Sequence, residues 1–197
     1  MVSFTSLIVL ATAGFSAVSA IAIPKRDLAD DITTLSALVE QFDSDVKAID
    51  PQQDASTTIS TILGDIYAIN TALLNASISE NETPISDDQI PSFKGLLGDF
   101  TTLITDIDAQ VPTIEQVPGL AEEMAEGLIA TEGFAIGYVT TVASDISNEH
   151  LDDVVQILVV IEQGFEDVEN KLLSNSSTSS TPSDPTSSSS SNSTSSA

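Results

Sequence analysis

Apolar residues recur every three or four positions through five successive stretches of this chain, and that period constrains the fold more than any other feature. Ile32, Leu35, Leu38, Val39, Phe42 and Val46 mark the first stretch, and Ile59, Ile62, Ile66, Ile69 and Leu73 the second. The third runs from Phe93 through Leu97, Phe100, Ile104 and Ile107 to Val111. Leu120, Met124, Leu128, Ala135, Tyr138 and Val142 share one face of the fourth; Val154, Leu158, Ile161, Phe165 and Leu172 mark the fifth. A 3.6-residue repeat held for several turns lays an apolar stripe along a helix, and that stripe must be covered. β-branched residues are frequent and favour strands, but five segments keep the helical period. The punctuation agrees. Ala29-Asp30-Asp31 enters the first helix and Pro51 stops it; Asp54-Ala55-Ser56 opens the second. Ser86 with Gln89 reads as a capping box for the third, although Pro91 would then lie deep in the helix. Pro112 is expected to follow its end. The fourth begins near Pro118-Gly119, and Ser147 or Asn148 caps the fifth. The expected fold is all-α, an antiparallel bundle of about five amphipathic helices over residues 27–173.

The flanks have other compositions. Residues 2–23 carry no charge, and their apolar core, "SLIVLATAGF", has signal-peptide length. Small residues near Ala20 and Ala22 suit a signal peptidase. Lys25-Arg26 follows and resembles a dibasic processing site, so residues 1–26 are read as signal peptide and short propeptide. Residues 174–197 are nearly all Ser, Thr, Asn and Pro, a composition that cannot bury a core. They are expected to form a disordered, O-glycosylated tail. Sequons stand at Asn75, Asn81, Asn175 and Asn192. No hydrophobic run follows the tail, so the expectation is a secreted or wall-associated protein held without a GPI anchor.

Charge and residue inventory exclude several functions. Beyond Arg26, three lysines stand against 30 acids, a net charge of −27 that repels nucleic acid and anionic lipid headgroups. The absence of Cys removes disulfide, thiolate and zinc–sulfur chemistry. His150 is the sole histidine, and the region after Arg26 has no Gly-x-Ser-x-Gly elbow. A di-iron bundle needs two Glu-x-x-His pairs, which one histidine cannot supply. Asp43–Asp54 imitates the start of a calcium loop but puts Lys47 and Ala48 where a ligand and a glycine are required. The acidic pairs mostly sit at expected helix starts, where they complement the helix dipole. Glycoside hydrolysis would want aromatic platforms, and there is no Trp and only two Tyr. No catalytic residue, metal or cofactor is therefore assigned, and a hydrolase is the least supported reading.

The fourth segment is glycine-rich: "EGLIATEGFAIGYVTTVAS", Glu126 to Ser144. No Lys-Ser/Thr follows its glycines, so it is no phosphate loop. Its uncharged run, Gly133 to Ser144, is too short to cross a bilayer, and no transmembrane span is expected after processing. That run is apolar or small all round, the mark of a helix enclosed by others. Gly133 and Gly137 then either admit a neighbouring helix or leave room for a guest. Dense packing and an apolar cavity both remain open. For the cavity, the candidate ligand-contacting residues are Phe93, Leu97, Phe100, Gly133, Phe134, Gly137, Tyr138 and Phe165.

The assembly is more telling than any one motif. An apolar leader, the junction and first helix "KRDLADDITTLSALVEQFDSDVKAID", the Val-Pro-Gly-Leu to Tyr138-Val139 segment and a Ser/Thr-rich tail follow in order. Together they resemble the fungal hydrophobic surface binding protein A family, which includes the antigenic cell-wall galactomannoproteins. The resemblance implies a secreted helical bundle that binds hydrophobic surfaces and, in some members, fatty acids in an apolar tunnel. It also implies secreted polyester- or cutin-degrading enzymes as partners. It carries over no position-by-position motif. The expected function is a non-enzymatic binder of hydrophobic surfaces or fatty-acid-like lipids; the alternative is a structural or antigenic mannoprotein without a specific ligand.

Overall fold

The computed structural model describes residues 28–78 and 85–176. The described residues form five helices: α1 Leu28–Lys47, α2 Ala55–Ile78, α3 Ile90–Ile114, α4 Leu120–Ala143 and α5 Asn148–Ser176. The signal peptide, Lys25-Arg26, Asn81, Asn192 and most of the Ser/Thr-rich tail lie outside the described residues.

Local chemistry sets the helix ends. Asp54 Oδ2 accepts hydrogen bonds from the Thr57 backbone N–H (3.1 Å), Ser56 Oγ (2.6 Å) and Thr57 Oγ1 (3.0 Å), closing the start of α2. These bonds hold the Asp54 carboxyl below its ordinary pKa. Before α3, Gln89 Oε1 accepts from the Ser86 backbone N–H at 3.1 Å. This is the back-reaching half of a capping box, used here to close a turn. The helix itself starts at Ile90, so Pro91 falls in its first turn, where it is tolerated. Pro112 does not follow α3 as expected but lies inside its last turn. There the ring removes one N–H donor at an exposed position, and Glu115 N–H still reaches the Val111 carbonyl at 3.0 Å. Gly119, just before α4, has φ of 85°, a left-handed conformation that favours glycine.

The helices close into a ring. Each packs mainly on two neighbours, in the order α1–α2–α4–α5–α3 and back to α1; α3 and α4, joined by a short turn, touch only sparsely. The chain reverses at its connections, as an antiparallel bundle requires. The ring order nevertheless sets helices of like direction side by side. Lys94 near the start of α3 pairs with Asp153 near the start of α5, and Asp108 near the end of α3 with Lys171 near the end of α5. Likewise Ser36 of α1 bonds Asp99 of α3, and Lys47 at the end of α1 meets Asp106 of α3.

The stripes read from the sequence converge inside this ring. Leu35, Phe42, Ile66, Leu73, Phe93 and Phe165 are fully buried. Helical glycines mark two close approaches. A Cβ on Gly127 of α4 would lie 3.0 Å from Ile66 Cδ1 and Cγ2 of α2, and one on Gly164 of α5 would lie 2.8 Å from Ile104 Cγ2 of α3.

Candidate functional site: the interior of the helix ring

The eight residues proposed to contact a ligand separate into three groups. Phe93, Leu97, Phe100, Tyr138 and Phe165 belong to the buried core, none more than 2% exposed. They arrive from α3, α4 and α5 and present almost no surface on which even a water molecule could sit. Phe134 is half-buried at the edge of that core. Gly133 and Gly137 lie outside it. Both are exposed, and a Cβ on either would meet open space. The expectation that α4 is enclosed on all sides is thereby corrected. Ile129, Gly133, Gly137 and Thr140 form an outward face, with Ile129 49% exposed. Glycine spacing alone is symmetric between inward and outward faces, so it did not separate them. The glycines that allow close approach are Gly127 of α4, against Ile66, and Gly164 of α5, against Ile104.

Tyr138 carries a polar group into the interior. Its ring meets Phe93 edge to face, with centroids 6.0 Å apart and planes at 74°. Burial, and to a lesser degree the Asp31 carboxylate of α1, push its phenol above the ordinary value. Its hydroxyl is buried and has no hydrogen-bond partner. The same holds for Asp43 Oδ1, Asp65 Oδ2, Asn70 Oδ1 and Glu169 Oε1, but those side chains carry a second polar atom. Tyr138 has one. Leaving a buried hydroxyl unpaired costs about 1–3 kcal/mol.

Two further surfaces adjoin the ring. An open groove of about 690 Å³ runs between α3 and α5, lined by Lys94, Gly98, Thr101, Thr105, Ile157 and Val160 among others. The hydroxyls of Thr101, Thr102 and Thr105 donate to carbonyls one turn back. On α5, Val155, Val159 and Val160 are 46–56% exposed, Val160 at the groove.

His150 Nε2 lies 3.9 Å from Asp87 Oδ1, an ion pair only when the imidazole is protonated. Among the described residues no group of three or more acids or histidines is placed to hold a metal ion, and no helix is long and apolar enough to cross a membrane. Asn75 is exposed near the end of α2. Asn175 falls within the last turn of α5, which continues to Ser176.

Comparison with known proteins supplies the context for this ring. The fold is shared with solved ligand-binding domains. Ligand binding domain 2 of Penicillium marneffei MP1 protein, complexed with multiple arachidonic acids, superposes with a TM-score of 0.62 at 20% identity. That match covers 76% of this chain and 97% of the other. Ligand binding domain 1 of the same protein, complexed with arachidonic acids, gives 0.61 at 14% identity over 73% of this chain and 94% of the other. AfMP4p in complex with palmitic acid gives 0.55 at 14% identity over 73% and 95%. No family model matches the sequence, and no curated protein matches it. The likeness extends over nearly the whole of each neighbouring domain.

Proposed function

We propose that this chain is a non-enzymatic binder of single-chain lipids, secreted and wall-associated, of the hydrophobic surface binding kind that its sequence resembles. The observation that carries the reading is the shared helical fold with domains solved around arachidonic and palmitic acid. A contiguous apolar interior, lined by Phe93, Leu97, Phe100 and Phe165, supports it. That interior is filled by its own side chains, so an acyl chain enters by parting helices. The energetics permit this. Transferring a sixteen-carbon chain from water gains about 0.8 kcal/mol per methylene, roughly 11 kcal/mol in all. A whole domain is stable by only about 5–15 kcal/mol.

Binding of apolar surfaces is the companion reading, and the exposed Val155, Val159 and Val160 on α5 support it. A patch of this kind would adsorb to wax or polyester, where polyester-degrading enzymes act. The deciding experiment is native mass spectrometry on delipidated secreted protein exposed to palmitic acid. Bound lipid at about one or more per chain is expected. An apo mass throughout, with no displacement of a fluorescent fatty acid, sinks the lipid reading. Adsorption to wax is measured separately and should fall when the three valines become serine.

A further inference from the structure

Tyr138 is rooted on α4, yet its side chain addresses two helices that α4 does not principally pack against. Its ring touches Phe93 of α3, and its phenol lies within the field of Asp31 on α1. In the ring, α4 sits between α2 and α5, only sparsely touches α3, and is separated from α1 by α2. A ring rooted on α4 that meets Phe93 of α3 edge to face points into the interior. The hydroxyl is therefore carried inside the ring, where it is buried and unpartnered.

Folding gives no reason for that oxygen. Phenylalanine would keep the edge-to-face contact with Phe93 and fill nearly the same volume, without burying a donor that bonds nothing. A hydroxyl placed where folding gains nothing from it is explained by something that enters later and brings an acceptor. We propose that the Tyr138 hydroxyl is the head-group anchor of the interior, donating its hydrogen bond to an oxygen of a single-chain lipid. This deepens the lipid-binding reading and rests on it.

The donor also selects the head group. An oxygen on the lipid accepts the hydrogen bond that a hydrocarbon end cannot. The site thus takes long-chain lipids with an oxygen head, such as a fatty acid or a long-chain alcohol, in preference to bare alkanes.

The test compares the delipidated full-length protein with its Tyr138→Phe variant. Palmitic acid, hexadecanol and hexadecane are presented from cyclodextrin, with occupancy read by native mass spectrometry and folding by thermal melting. The apo variant is expected to melt at or above the wild-type temperature, because the lost hydroxyl bonds nothing. Its affinity for palmitic acid and hexadecanol is expected to fall about tenfold, the effect of one net hydrogen bond. Hexadecane binding should not change. Wild-type uptake with no loss in the variant overturns the anchor and leaves the lipid reading standing. A clearly lower apo melting temperature also overturns it, since the hydroxyl then has a structural partner. An equal loss of hexadecane binding in the variant overturns the preference for an oxygen head. No uptake of any lipid by the wild type overturns the anchor together with the reading beneath it.

Discussion

The two flanks of α5 are held by opposite means. Toward α3, Lys94 binds Asp153 at 2.6 Å, Lys171 binds Asp108, and Gly164 lets Ile104 come close. Toward α4 there is crowding of acids: Glu132 of α4 feels Glu162 and Glu166, and Glu169 feels Glu132 and Glu166. The pattern extends round the ring. Lys47 of α1 also reaches α3, at Asp106, 2.9 Å away. On the far side of α1, burial and then Asp45 of α1 raise the carboxyl of Asp65 on α2. Every lysine among the described residues therefore joins α3 to one of its two neighbours. The α2–α4 side relies on apolar packing and carries carboxyls whose pKa values burial and neighbouring acids raise. A chain with so few bases cannot neutralise every seam, and the difference shows which seams can be opened by changing conditions.

The largest way to break this contrast is to remove the packing that the α2–α4 side depends on. Ile66 is fully buried against Gly127. Ile66→Ala is expected to cost about 2–5 kcal/mol, measured by urea unfolding. A loss below about 1 kcal/mol would show that this seam has other support.

The pH response sharpens the comparison next. Burial first, then the Asp45 contact, raises Asp65 to about 6; burial first, then Glu132 and Glu166, raises Glu169 to about 7. A carboxyl with a raised folded-state pKa keeps its proton in the folded protein after the unfolded chain has lost it. The stabilising contribution is complete below the unfolded value, near 4, and is lost as pH rises through the folded values. The melting temperature should therefore decline between pH 5 and pH 8. Glu169→Gln, which is neutral throughout, should flatten that decline. An equally steep profile in the variant would assign the slope to the general repulsion of a chain with net charge −27 after Arg26.

The glycines test the same division at smaller scale. Gly133→Ala and Gly137→Ala should each stabilise by up to about 1 kcal/mol, because helix propensity improves and the added methyl meets open space. Gly164→Ala should lower stability instead, since its methyl would meet Ile104 Cγ2 at 2.8 Å. The same sign at all three positions would contradict the placement of α3 against α5.

The smallest effect belongs to the ion pairs. Lys171 and Asp108 are 52% and 42% exposed, so the pair contributes modestly and salt screens it. Lys171→Gln should shift the melting temperature slightly at low ionic strength and not detectably in molar salt. A large shift that persists in salt would mean that the lysine stem, rather than its charge, joins the helices.

Much of the fold is legible in the sequence. Period and punctuation place five helices, with Pro51, Asp54 and Pro118-Gly119 marking real boundaries. Pro112 misleads because a proline costs little in a last turn, where a helix is already ending. Five candidate site residues gather in the core because each lies on an apolar stripe. Gly133 and Gly137 do not, because small residues fit an exposed face as readily as a crowded one. The unpartnered hydroxyl of Tyr138 leaves no trace in the sequence, where tyrosine on an apolar stripe reads as ordinary core.

What the sequence determined by itself is local: which residues form helices, the apolar stripe that each carries, most of the helix ends though not that of α3, and that the chain is acidic and free of cysteine. These depend on contacts between residues a few positions apart. Ring order was decided only by the tertiary structure. An apolar stripe specifies that it must be covered but not by which partner. Setting α3 beside α1 and α5 brought three lysines to three aspartates and left the glutamates of α4 and α5 facing one another. The same order carried the Tyr138 hydroxyl into the interior, because side chains from non-adjacent helices meet only when the ring has closed.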